Sequence, residues 1–499
     1  MPSPSNNTGN GLGSTAAHGA AWLTIGQLTG RGLGAFKILV LAALLPQNEL
    51  GLFGAAIVVV ELIEQLSQTG MKQALIQTPE NVDGKLLGTA WTSQILRGAV
   101  IAATLFLVAG QVESFLDKPG LKQLIQAIAL YPLLQSFRNA GLVHLHREMK
   151  FQKVVGIELI SVAVDLSSSI ALTLVQPLAM SLVTAKLLGS AAGLIASFIL
   201  ERRMALIHFS FDDFRRLYRF GFWVFVSAIL SFVMIRGGDI IIAKQLTSAD
   251  LAIYQVSYSL VSVPIISIMG VIRRSMFPAF SQIQGDSQRL AAVFLKVFSL
   301  VNYIATFSVV GAACIGGEFV DTFLSAEYIA AKPLIPLLAV WTSCRGLGAM
   351  NTVLFQAIGK PAFATSFQFL MVALFALILI PAGALHGLIG IAIGLMSIGI
   401  VAQLGRYIAL VYMIEVTFAQ VSNRVLIPVL AGAISVVVTL LVASVLPTDS
   451  SLIKLIIKLI LIVGIYGISI TFVDAKMHFG VLDFLRSRFR FPKLQNSVR

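Results

Sequence analysis

Charged residues are scarce in this chain. Only 12% of its 499 residues are Asp, Glu, Lys or Arg, whereas 57% are hydrophobic. That balance excludes every class of soluble globular protein. The apolar residues form long continuous runs and do not alternate with polar residues, which argues against a membrane β-barrel. We therefore predict an all-α polytopic membrane protein.

Cysteines and enzyme motifs are also scarce. The two cysteines, Cys314 and Cys344, lie within or at the edge of apolar runs, so neither a disulfide framework nor a metal site is expected. The sequence has no G-x-x-x-x-G-K-S/T and no H-E-x-x-H motif. His144 and His146 are two residues apart and would point to different sides of a helix, which makes a poor metal site. We predict no enzymatic activity, metal or cofactor.

The long apolar runs predict fourteen spans, because a membrane helix needs about 20 predominantly apolar residues. The loops between them are short, and the outer loops are too short for a catalytic domain such as a glycosyltransferase would need. The predicted spans are 17–45, 50–71, 86–109, 123–145, 154–175, 178–200, 220–243, 251–272, 293–316, 333–356, 361–382, 386–414, 425–446 and 452–473.

Loop charge predicts that the N- and C-termini are both cytoplasmic. With that orientation most loop Lys and Arg residues fall inside, as the positive-inside rule requires. The net charge of +13 is then mainly topological and does not indicate a nucleic-acid partner. The basic tail, residues 475–499, is either a solvated tail or a segment that lies on an anionic membrane face. The basic residues predicted outside are Lys118, Lys122, Lys244, Lys332 and Lys454.

A weak internal repeat predicts the domain organisation. The segment Leu39–Phe53 lines up with Ile240–Tyr254, and each joins an odd span to the next even one. Transporters built from such repeats bind substrate between the two halves. The first 15 residues carry no charge, which gives no signal-peptide n-region and predicts a disordered cytoplasmic tail. The predicted divisions are the tail 1–15, an N-lobe 16–200, a cytoplasmic linker 201–219, a C-lobe 220–415, two extra spans within 416–474 and the basic tail 475–499.

Nine Lys and Arg residues lie inside the predicted spans. Each charge at the bilayer centre costs about 2.5–3.5 kcal/mol on insertion scales, so these residues must face a wet cavity or pair with acids. A mostly cationic cavity predicts an anionic passenger. Lys458 lies in the last predicted span, outside the twelve spans of the repeat, and the favoured interpretation is that it snorkels or packs. Lys37 is the one other span cation that is not a substrate-binding candidate. The candidate substrate-binding cations are Arg31, Arg97, Arg138, Arg236, Arg345, Arg406 and Lys186.

Acidic residues in the spans have two interpretations: they bind a coupling proton or Na⁺, or they neutralise the cations. Several fall on polar stripes with helical spacing. Glycines at 26, 30 and 34 predict a smooth packing face beside Arg31, and a phosphate-loop interpretation fails because they lie within an apolar span. The acidic candidates are Glu61, Glu64, Glu158, Asp165 and Asp239.

Four segments, taken in order over residues 16–415, resemble the polysaccharide-transporter (Wzx-type) flippases of the multidrug/oligosaccharidyl-lipid/polysaccharide exporter superfamily. The resemblance implies a V-shaped body of two six-helix lobes with alternating access. The segments are Leu50–Phe53 with Gln68–Gln77, Gly238–Ala243 with Tyr254–Pro264, Arg273–Asp286, and Arg147–Gln152, whose place in the second half is taken by Gly359–Phe363.

The resemblance also implies a function. Such a flippase lies in the bacterial inner membrane and moves an undecaprenyl-pyrophosphate-linked oligosaccharide to the outer leaflet for export or polymerisation. Its partners would be that anionic lipid-linked sugar, membrane lipids, and polysaccharide polymerase or co-polymerase proteins. Three alternatives stay open at this point: a multidrug-type cation antiporter, a peptidoglycan-precursor flippase, and a non-transporting scaffold for polysaccharide assembly.

Overall fold

The part of the chain that the structure describes is helical almost throughout, as the long apolar runs predict. A computed structural model describes residues 9–67, 84–445, 450–477 and 479, and no strand occurs within those ranges. Its helices are α1 Gly9–Leu44, α2 Gln47–Leu66, α3 Gly84–Leu116, α4 Leu121–Ile128, α5 Leu130–Ser136, α6 Leu142–Arg147, α7 Phe151–Val175, α8 Ala179–Leu200, α9 Phe211–Gln245, α10 Ser248–Gln282, α11 Ser287–Phe323, α12 Ala331–Ala357, α13 Pro361–Leu374, α14 Ile380–Met413, α15 Phe418–Val445 and α16 Ser451–Met477.

Nine helical segments of the described ranges are long and apolar enough to cross a membrane. The all-α membrane fold is therefore confirmed, while the count of fourteen spans stays a prediction. Residues 1–8, most of the basic tail, and the segment Gln68–Gln77 lie outside the described residues. The helix α1 begins at Gly9, inside the range predicted as a tail, and α9 begins at Phe211, so only 201–210 of the predicted linker is non-helical.

The stretch predicted as a span over 123–145 is not one continuous helix, because it divides into α4, α5 and α6. Pro132 lacks the N–H that would bond to the carbonyl of Ile128, where α4 ends. Asn139 then uses its side chain in place of the helix ladder: its Oδ1 accepts from the Gly141 N–H at 2.8 Å, and its Nδ2 donates to the Glu201 carbonyl at 2.6 Å.

A second irregularity separates α13 from α14. A π-helical turn, Phe375–Leu379, joins them, and Gly387 within α14 has φ +59°, a conformation that favours glycine. Two spans were predicted over 361–382 and 386–414, and the Gly387 kink lies close to the break between them.

Two compact units divide the chain. One comprises Met1–Ser259 with Phe375–Ile391, and in it α7 packs along α1 and α8. The other comprises Leu260–Leu374 with Ala392–Arg499, and in it α11 packs against α12, α15 and α16. The core of the second unit includes stacked rings of Phe294 and Phe298, whose centroids are 5.4 Å apart. The predicted lobe boundaries stay predictions.

Ion pairs made by Arg203 anchor the extended segment 201–210. Arg203 donates to the carboxylates of Glu201 and Glu148, and Lys150 lies 2.8 Å from Glu148 Oε2. These hydrogen bonds from Arg203 and Lys150 lower the pKa of Glu148 to about 2. The segment therefore keeps its charged anchors over the whole neutral and mildly acidic range.

We expect Glu148 to stay ionised well below pH 4. Its folded pKa lies below its ordinary value of 4.5, so the pair with Arg203 stabilises the fold above pH 4.5 and is lost as the pH falls through about 2. Infrared difference spectra of wild type against Glu148→Gln would isolate this carboxyl. A protonated band with a midpoint near 4.5 would contradict the expectation.

Candidate functional site

The first cluster of candidate residues joins α1, α7 and α8 through one carboxylate. Lys37 Nζ lies 2.7 Å from Asp165 Oδ1, and Lys186 Nζ lies 4.0 Å from Asp165 Oδ2. The Lys37 and Asp165 side chains are only 11% and 13% exposed. Lys186 also lies over the ring of Tyr131, 5.2 Å from its centroid. One acid thus faces two lysines, which leaves the cluster with a formal excess of positive charge.

A second pair lies nearby in the same unit. Arg138, in the turn between α5 and α6, donates to Glu158 Oε1 at 3.1 Å and to Ser161 Oγ at 3.5 Å, both on α7. Glu158 is 62% exposed, so this pair is screened and its net energy is small. Glycine at 193 allows the approach of α8, because a Cβ there would lie 2.5 Å from Arg138 Nη2.

The third cluster connects α2, α9 and α10. Arg236 binds Glu61 through two parallel bonds, Nε to Oε2 at 2.7 Å and Nη2 to Oε1 at 2.9 Å. Its Nη1 also lies 3.7 Å from Asp239 Oδ1, one turn further along the same helix. Asp239 is buried and accepts from Gln255 Nε2 at 2.8 Å. The bidentate geometry and the second acid make this the most fully compensated cation of the set.

Arg97 and Arg31 have different surroundings. Arg97 on α3 donates to the Glu64 main-chain carbonyl at 3.0 Å and to Ser67 Oγ at 3.1 Å, so it holds the end of α2. Arg31 is exposed on α1. The glycine face predicted beside it is only partly present: a Cβ at Gly26 would meet Val155, whereas no described atom lies within 4 Å of one at Gly30 or Gly34.

The second unit holds Arg345 and Arg406. Arg345 on α12 lies over the ring of Trp341, one turn earlier, at 5.7 Å from the centroid. Arg406 on α14 donates to Gln403 Oε1 at 3.3 Å and lies 5.5 Å from the ring centroid of Phe367. Gln403 also lines a mainly apolar cavity of about 430 Å³ between α11, α12, α14 and α15.

Sequence reasoning missed one ion pair. Lys458 on α16, for which snorkelling or packing was favoured, forms a hydrogen-bonded pair with Glu318 on α11. The two side chains are 10% and 19% exposed. Glu318 lies beyond the predicted end of its span, at residue 316, although α11 continues to Phe323. Had the predicted span been extended to Phe323, Glu318 would have been counted as a possible partner of Lys458.

Close contacts gather where α2, α3, α9 and α10 have their predicted outer ends. A Cβ at Gly51 would lie 1.7 Å from the Ser248 carbonyl oxygen. The Lys118 ammonium donates to the Leu246 carbonyl, and that of Lys244 donates to the Phe115 carbonyl. We call these three contacts the outer contact set. It joins residues of the first sequence repeat to the loop between α9 and α10.

We expect Gly51→Ala to loosen the outer contact set. The added Cβ must displace main chain, and overpacking of this kind costs about 1–3 kcal/mol. Ser248 is buried at the contact, so a cysteine introduced there by Ser248→Cys reports on its exposure. This cysteine should react faster with a membrane-impermeant maleimide when Gly51→Ala is also present than when it is absent. Gly464→Ala is the matched control, because its Cβ would enter open space among the described residues. Equal labelling rates in both backgrounds would contradict the contact.

Comparisons with known proteins agree on one family. A family model described as "Polysaccharide biosynthesis protein" matches residues 40–333. Lipopolysaccharide biosynthesis protein WzxC of Escherichia coli (strain K12) is 25% identical over 79% of this chain and 80% of its own length. Succinoglycan biosynthesis transport protein ExoT of Rhizobium meliloti (strain 1021) is 20% identical over 65% of this chain and 66% of its own length.

A solved structure has the same fold. The inward closed conformation of the lipid II flippase MurJ aligns with a TM-score of 0.74. The alignment covers 91% of this chain and 98% of that chain at 14% sequence identity. At that identity the likeness concerns the fold alone.

Proposed function

Because the chain belongs to the polysaccharide biosynthesis protein family, as a multi-pass membrane flippase of the multidrug/oligosaccharidyl-lipid/polysaccharide exporter superfamily, we propose that it carries lipid-linked sugar. The proposed substrate is a polyprenyl-pyrophosphate-linked oligosaccharide. It would cross the bacterial inner membrane, from the cytoplasmic to the outer leaflet, for export as exopolysaccharide, capsule or O-antigen. Both termini would then be cytoplasmic, in keeping with the charge bias of the loops.

The observation that carries this proposal is cationic excess within apolar helices. Lys37 and Lys186 both lie within 4.0 Å of the Asp165 carboxylate, while Arg97 donates to the Glu64 main-chain carbonyl and Arg406 to the Gln403 side-chain oxygen. Keeping such charges at membrane depth is costly, and charges kept at that depth commonly mark the path of a substrate or an ion. Pyrophosphate and acidic sugars are the anions that a lipid-linked oligosaccharide would bring to them.

Transport by alternating access needs helices that separate and rejoin. The outer contact set joins the end of α2 and the loop after α3 to the loop between α9 and α10. We propose that these contacts open when substrate is released to the outer leaflet. Glycine at 51 fits this role because it permits a close approach that involves no side-chain interlock.

Ion coupling is the second part of the proposal. Asp165 lies between two lysines with its side chain 13% exposed, and Asp239 lies beside Arg236 with its side chain 4% exposed. A proton or Na⁺ taken up at either one would weaken its attraction to the neighbouring cations and so shift the balance between states. Glu61, Glu64 and Glu158 are further candidates for that role.

The test is the pool of lipid-linked sugar in a deletion strain of the native host, assayed together with surface polymer. We expect lipid-linked oligosaccharide to accumulate on the cytoplasmic side while surface polymer is lost, and the wild-type gene to restore both. Labelling that resolves the two leaflets separates a flippase from an essential scaffold. An unchanged pool with normal surface polymer, in a strain lacking redundant transporters, would contradict the proposal.

A further inference from the structure

Neutral groups accept the hydrogen bonds of the buried Arg406 guanidinium. The residue is 8% exposed, and its Nη1 and Nη2 donate to Gln403 Oε1 at 3.3 Å and to Met371 Sδ at 3.2 Å. Among the residues that the structure describes, no carboxylate lies within 4 Å of this guanidinium. A buried cation whose hydrogen bonds go to an amide oxygen and a thioether retains a strong attraction for an anion.

Glycine at 348 brings α12 against this charge. A Cβ at that position would lie 2.5 Å from Arg406 Nη1 and 2.8 Å from Arg406 Cζ, so any larger residue would push the guanidinium away. Two polar residues flank Gly348 on the same helix. Arg345 lies three residues before it and Asn351 three residues after it, both within one helical turn.

Asn351 supplies an independent observation. The residue is 0% exposed, and within the described part of the chain neither its Nδ2 nor its Oδ1 has a hydrogen-bond partner. A buried amide without partners is rare, because each unmet donor or acceptor costs about 1–3 kcal/mol. The Asn351 side-chain amide can therefore donate a hydrogen bond to a ligand, and it lies within one helical turn of Gly348.

We infer that Arg406 binds a phosphate-type anion, and that Arg345 and Asn351, three residues either side of Gly348, supply further donors to it. This inference rests on the proposed function, and it assigns the site to the pyrophosphate of the lipid-linked substrate. A guanidinium presents a planar fork that bonds two phosphate oxygens, and an amide N–H can bond a third. By contrast, Arg138, Arg236 and Lys186 already face carboxylates, so an anion would have to compete with those pairs.

The experiment uses the full chain in nanodiscs of zwitterionic phosphatidylcholine, with farnesyl pyrophosphate as the probe. We expect saturable binding to the wild type and a loss of about tenfold or more in affinity for Arg406→Gln and for Gly348→Ala. Gly311→Ala on α11 is the matched control, since its Cβ meets no described atom within 4 Å, and it should bind as the wild type does. Arg406→Lys keeps the charge but loses the fork, and should fall between.

Misfolding is separable from lost binding. Removing a buried charge that lacks a carboxylate should leave the midpoint of SDS-induced unfolding unchanged or raise it, so a folded Arg406→Gln protein that fails to bind is the supporting result. If Arg406→Gln does not fold, the affinity of Arg406→Lys relative to wild type decides. The assignment is overturned if Arg406→Gln or Arg406→Lys binds the probe with wild-type affinity. It is also overturned if the wild type shows no saturable binding.

Competition identifies the source of the phosphate. Inorganic pyrophosphate should displace the probe, whereas nanodiscs that contain phosphatidylglycerol should leave its affinity within about twofold. Equal displacement by phosphatidylglycerol would make this a lipid-headgroup site and overturn the substrate assignment. The lipid-linked sugar pool of the deletion strain tests the proposed function on its own, so the two can fail separately.

Discussion

Replacing Lys458 by Met is expected to lower the free energy of unfolding by about 3–5 kcal/mol, the range for breaking one partner out of a buried ion pair. The Lys458 and Glu318 side chains are 10% and 19% exposed, so Glu318 would be left as an enclosed charge without its counter-ion. The pair joins α16 to α11, next to the small apolar cluster of Cys314 and Tyr466. The measurement is the midpoint of SDS-induced unfolding in mixed micelles.

The double variant Lys458→Met/Glu318→Leu shows whether the loss comes from the orphaned carboxylate. Replacing both partners by apolar residues of similar size is often neutral or stabilising, so it should recover most of the loss. Lys454→Met, one turn earlier on the same helix, removes an equal charge that has no ion pair among the described residues, and should change stability by less than about 1 kcal/mol. Equal losses from Lys454→Met and Lys458→Met would contradict the pairing.

Helix positions were predictable wherever apolar runs end at clear boundaries. The spans predicted over 154–175 and 178–200 match α7 and α8 closely, because Pro177 in the short turn Gln176–Leu178 separates two mainly apolar runs. The break after Ile128 was not predictable in the same way. Membrane helices tolerate proline when other groups satisfy the freed carbonyl, so Pro132 alone does not predict a break. The Asn139 side chain bonds a carbonyl at Glu201, 62 positions away along the chain.

The sequence identified which charged residues are candidates for the site, but not which residues they contact. The cost of charge at membrane depth singles out the cations from composition alone. Which cations are compensated depends on helix neighbours: Asp165 meets Lys37 across a sequence separation of 128. Only the pair within one helix, Arg236 with Asp239, could be read from spacing. Arg406 and Gln403 are three residues apart in the sequence, whereas the approach of Gly348 to Arg406 is visible only in the fold.

Replacing Arg236 by Gln is expected to cost about 3 kcal/mol in unfolding free energy, the lower end of the range for breaking a buried pair, because Arg236 and Glu61 are 27% and 37% exposed. Glu61→Gln should cost clearly less. After Glu61→Gln, the guanidinium keeps Asp239 at 3.7 Å, whereas Arg236→Gln leaves two carboxylates without their cation. Arg202→Gln, in the exposed part of the linker, removes the same charge and serves as the control in SDS-induced unfolding.

Export measured beside stability separates the two roles open to Arg236. If the residue acts only by tying α9 to α2, the double variant Arg236→Gln/Glu61→Gln recovers surface polymer and the part of the stability lost at Glu61, because the two neutral amides can hydrogen-bond. Asp239 still lacks its cation in that variant, so recovery of stability is partial. If the guanidinium also contacts substrate, the double variant recovers the same part of the stability while export stays lost. Since the bidentate geometry occupies two of its nitrogen atoms with Glu61, we expect the first outcome. A stable double variant that does not export would indicate that Arg236 binds substrate, as is proposed for Arg406.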